Sequence, residues 1–94
     1  MELDAKKVEK ISKALGDSYR LQIMAMAKSQ DDACLKCACI IDNIGLAQST
    51  ISHHLSQLVD ADLLIATKDG RNVNYRVNKE TMDSYLKFLS AFKS

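Results

Sequence analysis

The chain has 94 residues, of which 47% are hydrophobic, 27% charged and 5% aromatic, and its formal net charge is +1 at pH 7. This composition is typical of one small folded domain and excludes a disordered polar chain. The longest unbroken apolar runs have five residues, against about 18 for a membrane span, and the first ten residues carry no apolar stretch of the kind found in a signal peptide. We therefore expect a cytoplasmic protein that does not contact a membrane.

Two amphipathic segments at the start of the chain predict two helices, because their apolar residues recur every three to four positions. The first covers roughly residues 4–15, and we expect Gly16 to end it in the left-handed conformation. Asp17 can cap the second, which should run to about Ser29. The second helix is apolar most of the way round, so it should lie at the centre of the fold.

A helix-turn-helix is predicted in the middle of the chain. After a polar loop at residues 30–33, a short third helix is expected over residues 34–44, and Gly45 breaks it. The helical period returns over residues 47–61, where an apolar stripe lies opposite a polar face. Two helices joined by a tight turn, the second with a polar outer face, are typical of the DNA-binding motif.

The periodicity then changes from helical to alternating. Residues 63–68 and 73–77 have the pattern of two strands, and Asp69 and Gly70 form a dipeptide common in tight hairpin turns. Asn78 can cap a last helix that runs nearly to the C-terminus. The predicted fold is therefore mainly α with a β-hairpin, in the order α-α-α-α-β-β-α: a single winged helix-turn-helix domain over residues 1–94.

The predicted hairpin carries a concentration of positive charge. Residues 68–79 contain four basic residues and one acid, hence a local charge of +3 in a chain that totals +1. A basic hairpin beside a helix-turn-helix can contact DNA phosphates next to the groove that the helix enters. The alternative is a solvated hairpin that is kept soluble by its charges. We expect Lys68 and Arg71 to contact phosphate.

Polar side chains occupy the first two turns of the predicted recognition helix, where amide, hydroxyl and imidazole groups can contact base edges. The alternative for Ser49 and Thr50 is that their hydroxyl groups only form hydrogen bonds with the backbone at the start of the helix. His53 and His54 are adjacent, so on a helix they point about 100° apart and cannot easily bind one metal ion together. We expect neither to be a metal ligand, and His54 to pack or to form a hydrogen bond within the protein. The expected groove contacts are Gln48, Ser49, Thr50, Ser52 and His53.

Several segments resemble the signature segments of the ArsR/SmtB family of winged-helix repressors: residues 14–24, residues 45–55, and residues 58–64 with the hairpin that follows. The resemblance extends over about residues 8–90. It implies a homodimer, built largely from the first and last helices, that binds an imperfect palindromic operator and in many members releases DNA when a metal or metalloid binds. One departure is Ala47, where the family commonly has a capping Ser, and loss of such a cap costs about 1 kcal/mol.

Three cysteines, Cys34, Cys37 and Cys39, are clustered near the start of the predicted third helix. An odd number in a chain without signs of secretion favours thiol chemistry or metal binding over structural disulfides. The Cys-Ala-Cys pair resembles the Cys-x-Cys of the arsenic and cadmium or lead sensors of the family, about one residue out of their usual register. Zinc sensors of the family use Asp and His on the last helix, and residues 79–94 contain no His.

Three thiolates without a nearby His suit a thiophilic, three-coordinate ion such as arsenite or antimonite, or a soft divalent metal, whereas zinc would need a fourth ligand. On an ideal helix Cys34 and Cys37 lie about 60° apart, while Cys39 points about 160° from Cys37. One ion could therefore collect all three sulfurs only if the first turn opened. Ion binding and DNA binding would then be coupled. The helix N-terminus should favour the thiolate. A redox thiol switch and buried cysteines without a sensing role remain alternatives.

The sequence therefore predicts a homodimeric DNA-binding repressor that needs no cofactor and is released by a thiophilic ion. A small thiol oxidoreductase is the alternative from another class, but the chain lacks the βαβ pattern and a general base near the cysteines. A winged helix that binds only protein would more often expose apolar anchors on its recognition helix. The sequence contains no phosphate-binding loop, Ser-His-Asp set or carboxylate pair, so we do not expect an enzyme.

Overall fold

The computed structural model describes residues 3–28 and 35–93, with only the backbone at Leu35. Within these residues it contains the predicted helices and hairpin, together with one additional short strand. The elements are α1 (Ala5–Leu15), α2 (Ser18–Lys28), β1 (Leu35–Lys36), α3 (Cys37–Ile44), α4 (Gln48–Asp60), β2 (Leu64–Asp69), β3 (Asn72–Val77), α5 (Lys79–Ser90) and a 3-10 turn at Ala91–Lys93.

Two of the predicted caps start helices where the sequence placed them. The Oδ1 atom of Asp17 accepts hydrogen bonds from the backbone N–H groups of Tyr19 at 2.8 Å and Arg20 at 3.1 Å. The Oδ1 atom of Asn78 accepts one from Thr81 N–H at 3.3 Å. Each cap satisfies amide groups that the first turn of a helix leaves without partners. Both predicted caps are confirmed.

The hydrophobic core forms where the first four helices meet the base of the sheet, and the apolar stripes predicted from helical periodicity face it. α2 packs against α1, α3, α4 and β3, so its predicted central position is confirmed. Its surface is less buried than predicted, because Leu21 is 51% exposed and Ala25 is also exposed. The large apolar side chains with an exposed fraction of zero are Ile11, Ile23, Ile40, Ile51, Leu58 and Leu63.

The third helix is shorter than predicted. It begins at Cys37, since the two residues before it form β1 and pair antiparallel with β3, Leu35 with Tyr75 and Lys36 with Asn74. The sheet therefore has three strands in the order β1-β3-β2. A strand of two residues is too short to show an alternating pattern in the sequence. Cys34 and the loop predicted at residues 30–33 lie outside the described residues.

Two glycine turns also differ from the prediction. Gly16 ends α1, but its φ is −83°, so the expected left-handed conformation is wrong, and its N–H donates to the carbonyl of Lys13 at 3.1 Å. In the hairpin, Asp69 still pairs with Asn72, so the turn is one residue later than predicted and consists of Gly70 and Arg71. Gly70 has a φ of 64°, which glycine adopts without the steric cost of a side chain.

The last helix is joined to the first by a hydrogen bond. Tyr85 of α5 is buried, and its hydroxyl lies 2.8 Å from Oγ of Ser12 in α1. The last helix was predicted to run nearly to the C-terminus, but α5 ends at Ser90 and Phe92 lies in the 3-10 turn that follows. In the described part of the chain, no helix is long and apolar enough to cross a membrane.

Candidate nucleic-acid interface and cysteine cluster

The turn between α3 and α4 sets the direction of the predicted recognition helix. Gly45 has φ 78° and ψ 15°, the left-handed region, and its N–H donates to the carbonyl of Ile41 at 3.2 Å. A Cβ atom at this position would meet nothing within 4 Å, so the requirement for glycine is conformational. Ala47 precedes α4 without a side-chain cap, in agreement with the sequence.

The polar face of α4 is exposed. Its apolar stripe is buried against the core through Ile51, Leu55 and Leu58, which turns the opposite side to solvent. Ser56 and Gln57 extend the exposed face by one turn and were not among the predicted groove contacts. All five predicted groove contacts lie together in the first two turns, and all are exposed: Gln48, Ser49, Thr50, Ser52 and His53.

His54 points into the protein, as predicted, with an exposed fraction of 8%. Its Nδ1 atom lies 3.2 Å from Nη1 of Arg20. A guanidinium group can only donate, so Nδ1 is the acceptor and the neutral ring carries its proton on Nε2. Arg20 also donates from Nε to the carbonyl of Ala14 at 2.6 Å and from Nη2 to that of Lys13 at 3.2 Å. One side chain thus joins the end of α1 to the recognition helix.

The role of Arg20 was missed in the sequence, although the signal was present. A charged residue shares one side of the predicted second helix with apolar residues such as Ile23 and Ala27. A buried or half-buried charge needs partners, and here they are two carbonyl groups and an imidazole nitrogen.

Asp17 lies next to this group. The hydrogen bond from the backbone N–H of Arg20 is the main reason that the pKa of Asp17 is lowered below its ordinary value of 3.8. Burial opposes this shift, while the backbone N–H of Tyr19 and the charge of Arg20 add to it. The cap is therefore ionised at neutral pH and strengthens the start of α2.

The far end of α4 is tied to α1. Asp62, just beyond α4, has a φ of 60°, and its carboxylate forms an ion pair with the ammonium group of Lys7. In the same turn the N–H of Leu63 donates to the carbonyl of Leu58 at 3.0 Å. The recognition helix is thus held at its middle, through His54, and just beyond its last residue, through Asp62.

The hairpin places two of its four cations near the tip and two at the base. Lys68, near the end of β2, and Arg71, in the turn, are exposed as predicted. Strands of six residues span about 20 Å, so this pair lies well away from the base of the hairpin. Arg76 and Lys79, at the base, line a cavity beside α2.

Two of the three cysteines lie in the first turn of α3 and differ in their surroundings. Cys37 packs half-buried against the core, and Cys39 is exposed. Burial raises the pKa of the Cys37 thiol, so the expectation that the helix N-terminus favours its thiolate is wrong. Burial also raises the pKa of Tyr75, and the electrostatic effect of Cys37 adds to that shift.

The described residues contain no group of three His, Cys, Asp or Glu side chains that could hold a metal ion. The predicted angle between Cys34 and Cys37 assumed a continuous helix, but the backbone at Lys36 is extended and α3 begins only after it. Cys34 itself is outside the described part of the chain. The 160° between Cys37 and Cys39 still applies, because both residues are helical.

The fold and the site can be compared with known proteins. Residues 17–66 match the family described as "Bacterial regulatory protein, arsR family". The arsenical resistance operon repressor of Staphylococcus aureus is 33% identical over 86 residues, which cover 90% of this chain and 79% of that protein. The chain belongs to the ArsR family. The sequence resemblance is therefore confirmed, and so is the expectation of a regulatory protein, since the family consists of regulators and not enzymes.

Solved structures of ArsR-family proteins have the same fold. The crystal structure of an ArsR family transcriptional regulator superposes with a TM-score of 0.84 at 19% identity, covering 99% of this chain and 93% of that one. A winged helix-turn-helix DNA-binding domain from Mycobacterium bovis, described as homodimeric, gives 0.74 at 21% identity, covering 94% of this chain and 80% of that one. These likenesses confirm the winged helix-turn-helix fold.

Proposed function

We propose that this ArsR-family protein is a cytoplasmic transcriptional repressor that binds a palindromic operator as a homodimer and releases it when arsenite or antimonite binds its cysteines. The observation that carries the DNA-binding part is the exposed polar face of α4. Its first two turns present amides, hydroxyls and an imidazole, which are the groups that hydrogen-bond to base edges in the major groove.

The tip of the hairpin supplies the second set of DNA contacts. Lys68 and Arg71 are exposed, and within the described residues neither forms an ion pair. Free cations at the end of a projecting hairpin can neutralise phosphates beside the groove, which adds affinity without sequence preference. In this proposal α4 therefore provides specificity and the hairpin provides salt-dependent affinity.

Variants of the two surfaces test this division. Ser52→Ala and His53→Ala should weaken binding to the chain's own upstream DNA by about 1–3 kcal/mol each and barely change binding to a scrambled duplex. Arg71→Ala should weaken both and reduce the salt slope by about one unit. The measurement is fluorescence anisotropy over a range of salt concentrations. Lys10→Ala, which removes an exposed charge from α1, is the matched control. Equal losses on both duplexes for the α4 variants would contradict the groove assignment.

Dimerisation through the terminal helices is supported by a patch of exposed apolar residues, which we term the terminal patch: Leu86, Leu89 and Phe92, exposed by 57%, 39% and 75%. Apolar side chains of this size grouped on one helix and the turn after it are typical of a surface that is covered by another chain. The homodimeric M. bovis neighbour has the same fold. A two-fold dimer also matches the symmetry of a palindromic operator.

Sedimentation equilibrium tests the dimer. Leu89→Glu should place a charge in the interface and convert the protein to a monomer at micromolar concentration, because burying an unpaired charge is costly. Leu21→Glu on α2 is the matched control, since Leu21 is also an exposed leucine of a helix. A monomeric wild-type protein, or a Leu89→Glu variant that remains as dimeric as the control, would contradict the terminal-helix interface.

The inducer part of the proposal rests on the thiols and on the relatives. Repressors named for arsenical resistance operons in S. aureus and Staphylococcus xylosus are both 33% identical to this chain. Trivalent arsenic and antimony prefer soft thiolate ligands. We propose Cys37 and Cys39 as ligands, with Cys34 as the third. Because Cys37 faces the core and Cys39 faces solvent, the closed first turn of α3 does not bring their sulfurs to one ion.

If the first turn of α3 opened, two connections would transmit the change to the surfaces that contact DNA. α3 leads through Gly45 directly into α4, and β1, the two residues before α3, pairs with β3 of the hairpin. A rearrangement at Cys37 would therefore displace elements that support both DNA-contacting surfaces. By linkage, bound DNA must weaken ion binding by the same factor as the ion weakens DNA binding.

Arsenite titration of the reduced protein on its upstream DNA tests the inducer. We expect release by arsenite that is lost in Cys37→Ser and in Cys39→Ser, with operator affinity in the absence of arsenite unchanged. Ser18→Ala, a substitution of similar size at an exposed position of α2, should leave the arsenite response intact. Separate titrations with cadmium, zinc and peroxide distinguish the alternatives. Release by peroxide alone would establish a redox switch, and no release by any of them would contradict a sensing role.

A further inference from the structure

A cavity on the side of the hairpin base is not used by the proposed DNA or thiol sites. It has a volume of about 610 Å³ and lies between the C-terminal half of α2, the base of the β2–β3 hairpin and the start of α5. We term it the α2–α5 groove. Volumes between about 300 and 1,000 Å³ are typical of sites for small organic ligands.

The floor of the α2–α5 groove is apolar. α2 contributes Met24 and Ala27, the two strands contribute Ile65 and Val77, and α5 contributes Met82. Both methionines are half-buried, so one side of each contacts the core and the other faces the groove. Flexible thioether side chains adapt to apolar ligands of different shapes. The floor therefore suits the hydrocarbon part of a ligand.

The rim of the groove is positively charged. Lys28, Arg76 and Lys79 come from α2, β3 and α5, and all three are exposed residues that line the groove. Among the described lining residues none is acidic, and in the described part of the chain none of these three cations takes part in an ion pair. Three cations to which the described residues supply no ion-pair partner, placed around an apolar floor, favour an anionic group as their partner.

We propose that the α2–α5 groove binds an amphipathic organic anion: a monocarboxylate on an aliphatic or aromatic body. The carboxylate would be held by the rim, with the planar guanidinium of Arg76 as the group suited to a bidentate contact. The hydrocarbon part would lie over Met24 and Met82. A nucleic-acid phosphate does not meet these requirements, because its charge carries no apolar body to cover the floor.

The test uses the full chain labelled with ¹³C at the methionine methyl groups and sodium decanoate as the probe. The chain has four methionines, and Met24→Leu and Met82→Leu variants assign the two groove signals. We expect decanoate to shift these two signals saturably. 1-Decanol should bind more weakly because it lacks the charge, and inorganic phosphate should bind more weakly because it lacks the chain.

Charge variants test the rim. Arg76→Gln and Lys28→Gln should each weaken decanoate binding by about fivefold, the effect of losing one partly exposed charge contact. Lys10→Gln, an equal charge change on the exposed side of α1, should leave the affinity unchanged. Circular dichroism confirms that each variant is folded. The proposal is overturned if decanoate does not shift the two signals saturably, if decanol binds as tightly as decanoate, or if the rim variants match the Lys10→Gln control.

Discussion

Replacement of Gly45 by alanine isolates the cost of the turn that directs the recognition helix. A Cβ atom at Gly45 would meet nothing within 4 Å, so no steric clash contributes. The backbone is left-handed, with a φ of 78°, and an L-residue in this region costs about 1–2 kcal/mol. Alanine also restricts the unfolded chain, which offsets about 0.4–1 kcal/mol. We expect Gly45→Ala to lower the free energy of unfolding by about 1 kcal/mol, or the Tm by about 4–8 °C.

Gly16→Ala is the matched control for this prediction. Gly16 also ends a helix, but its φ is −83°, which alanine adopts freely, and a Cβ there would lie 3.4 Å from two backbone carbonyl oxygens, an ordinary contact. It should be neutral or slightly stabilising. Gly45→Asn should lose less stability than Gly45→Ala, because Asn tolerates left-handed backbone. The assay is urea unfolding followed by circular dichroism at one fixed protein concentration. A Gly45→Ala variant as stable as Gly16→Ala would refute the reasoning.

Three further predictions follow from the contacts around the site. Arg20→Met should lower the free energy of unfolding by about 2–3 kcal/mol in urea unfolding, because a charged group with three hydrogen bonds is lost; a loss below 0.5 kcal/mol, roughly the effect of an ordinary surface substitution, would contradict this anchoring role. The lowered pKa of Asp17 means that its stabilising contribution is present above pH 3.8 and is lost as the pH falls below that value through the folded-state pKa, so the stability difference between wild type and Asp17→Asn should shrink on acidification; a difference independent of pH would contradict it. In a Cys34→Ser background, a second substitution, Cys37→Ser or Cys39→Ser, leaves one thiol. The variant that keeps Cys39 should react with Ellman's reagent faster than the one that keeps Cys37, because Cys39 is exposed and burial raises the pKa of Cys37. Equal rates for these two variants would contradict the difference in burial.

Helical periodicity was sufficient to predict that each helix exists and, for α4, which face it buries. The spacing of Ile51, Leu55 and Leu58 predicts which side of α4 meets the core, and the structure buries all three. Because those apolar residues define one side of the helix, they also define the exposed polar side. The local signals at Asp17 and Asn78 were equally reliable, since a cap is formed within four residues of chain.

Features that depend on contacts distant in sequence could not be predicted in this way. β1 exists because Leu35 and Lys36 pair with a strand about 40 residues later, and two residues carry no periodicity of their own. The same pairing shortens α3 and removes the assumed helical relation between Cys34 and Cys37. The raised pKa of Cys37 follows from its packing against the core, which overrides the effect expected from the helix N-terminus.

The partners of Arg20 illustrate the same limit within the site. The sequence shows a charged residue on the apolar side of a helix, but only the fold identifies its partners as two carbonyl groups of α1 and His54 of α4. His54 was expected to pack or to form a hydrogen bond, and the structure confirms both by burying the ring and pairing Nδ1 with the guanidinium. Prediction from single residues thus gave the type of interaction, and tertiary structure gave the partner.

The measurement that tests the central claim most directly is the ratio of two affinities at one physiological salt concentration: that of the reduced protein for its own upstream duplex and that for a scrambled duplex of the same length and composition. Specific regulators typically bind their sites about 10³-fold or more tightly than other DNA. We predict a ratio of at least about this size, which falls when Ser52 or His53 is replaced by alanine. Equal affinity for the two duplexes would contradict the account that the exposed face of α4 recognises an operator.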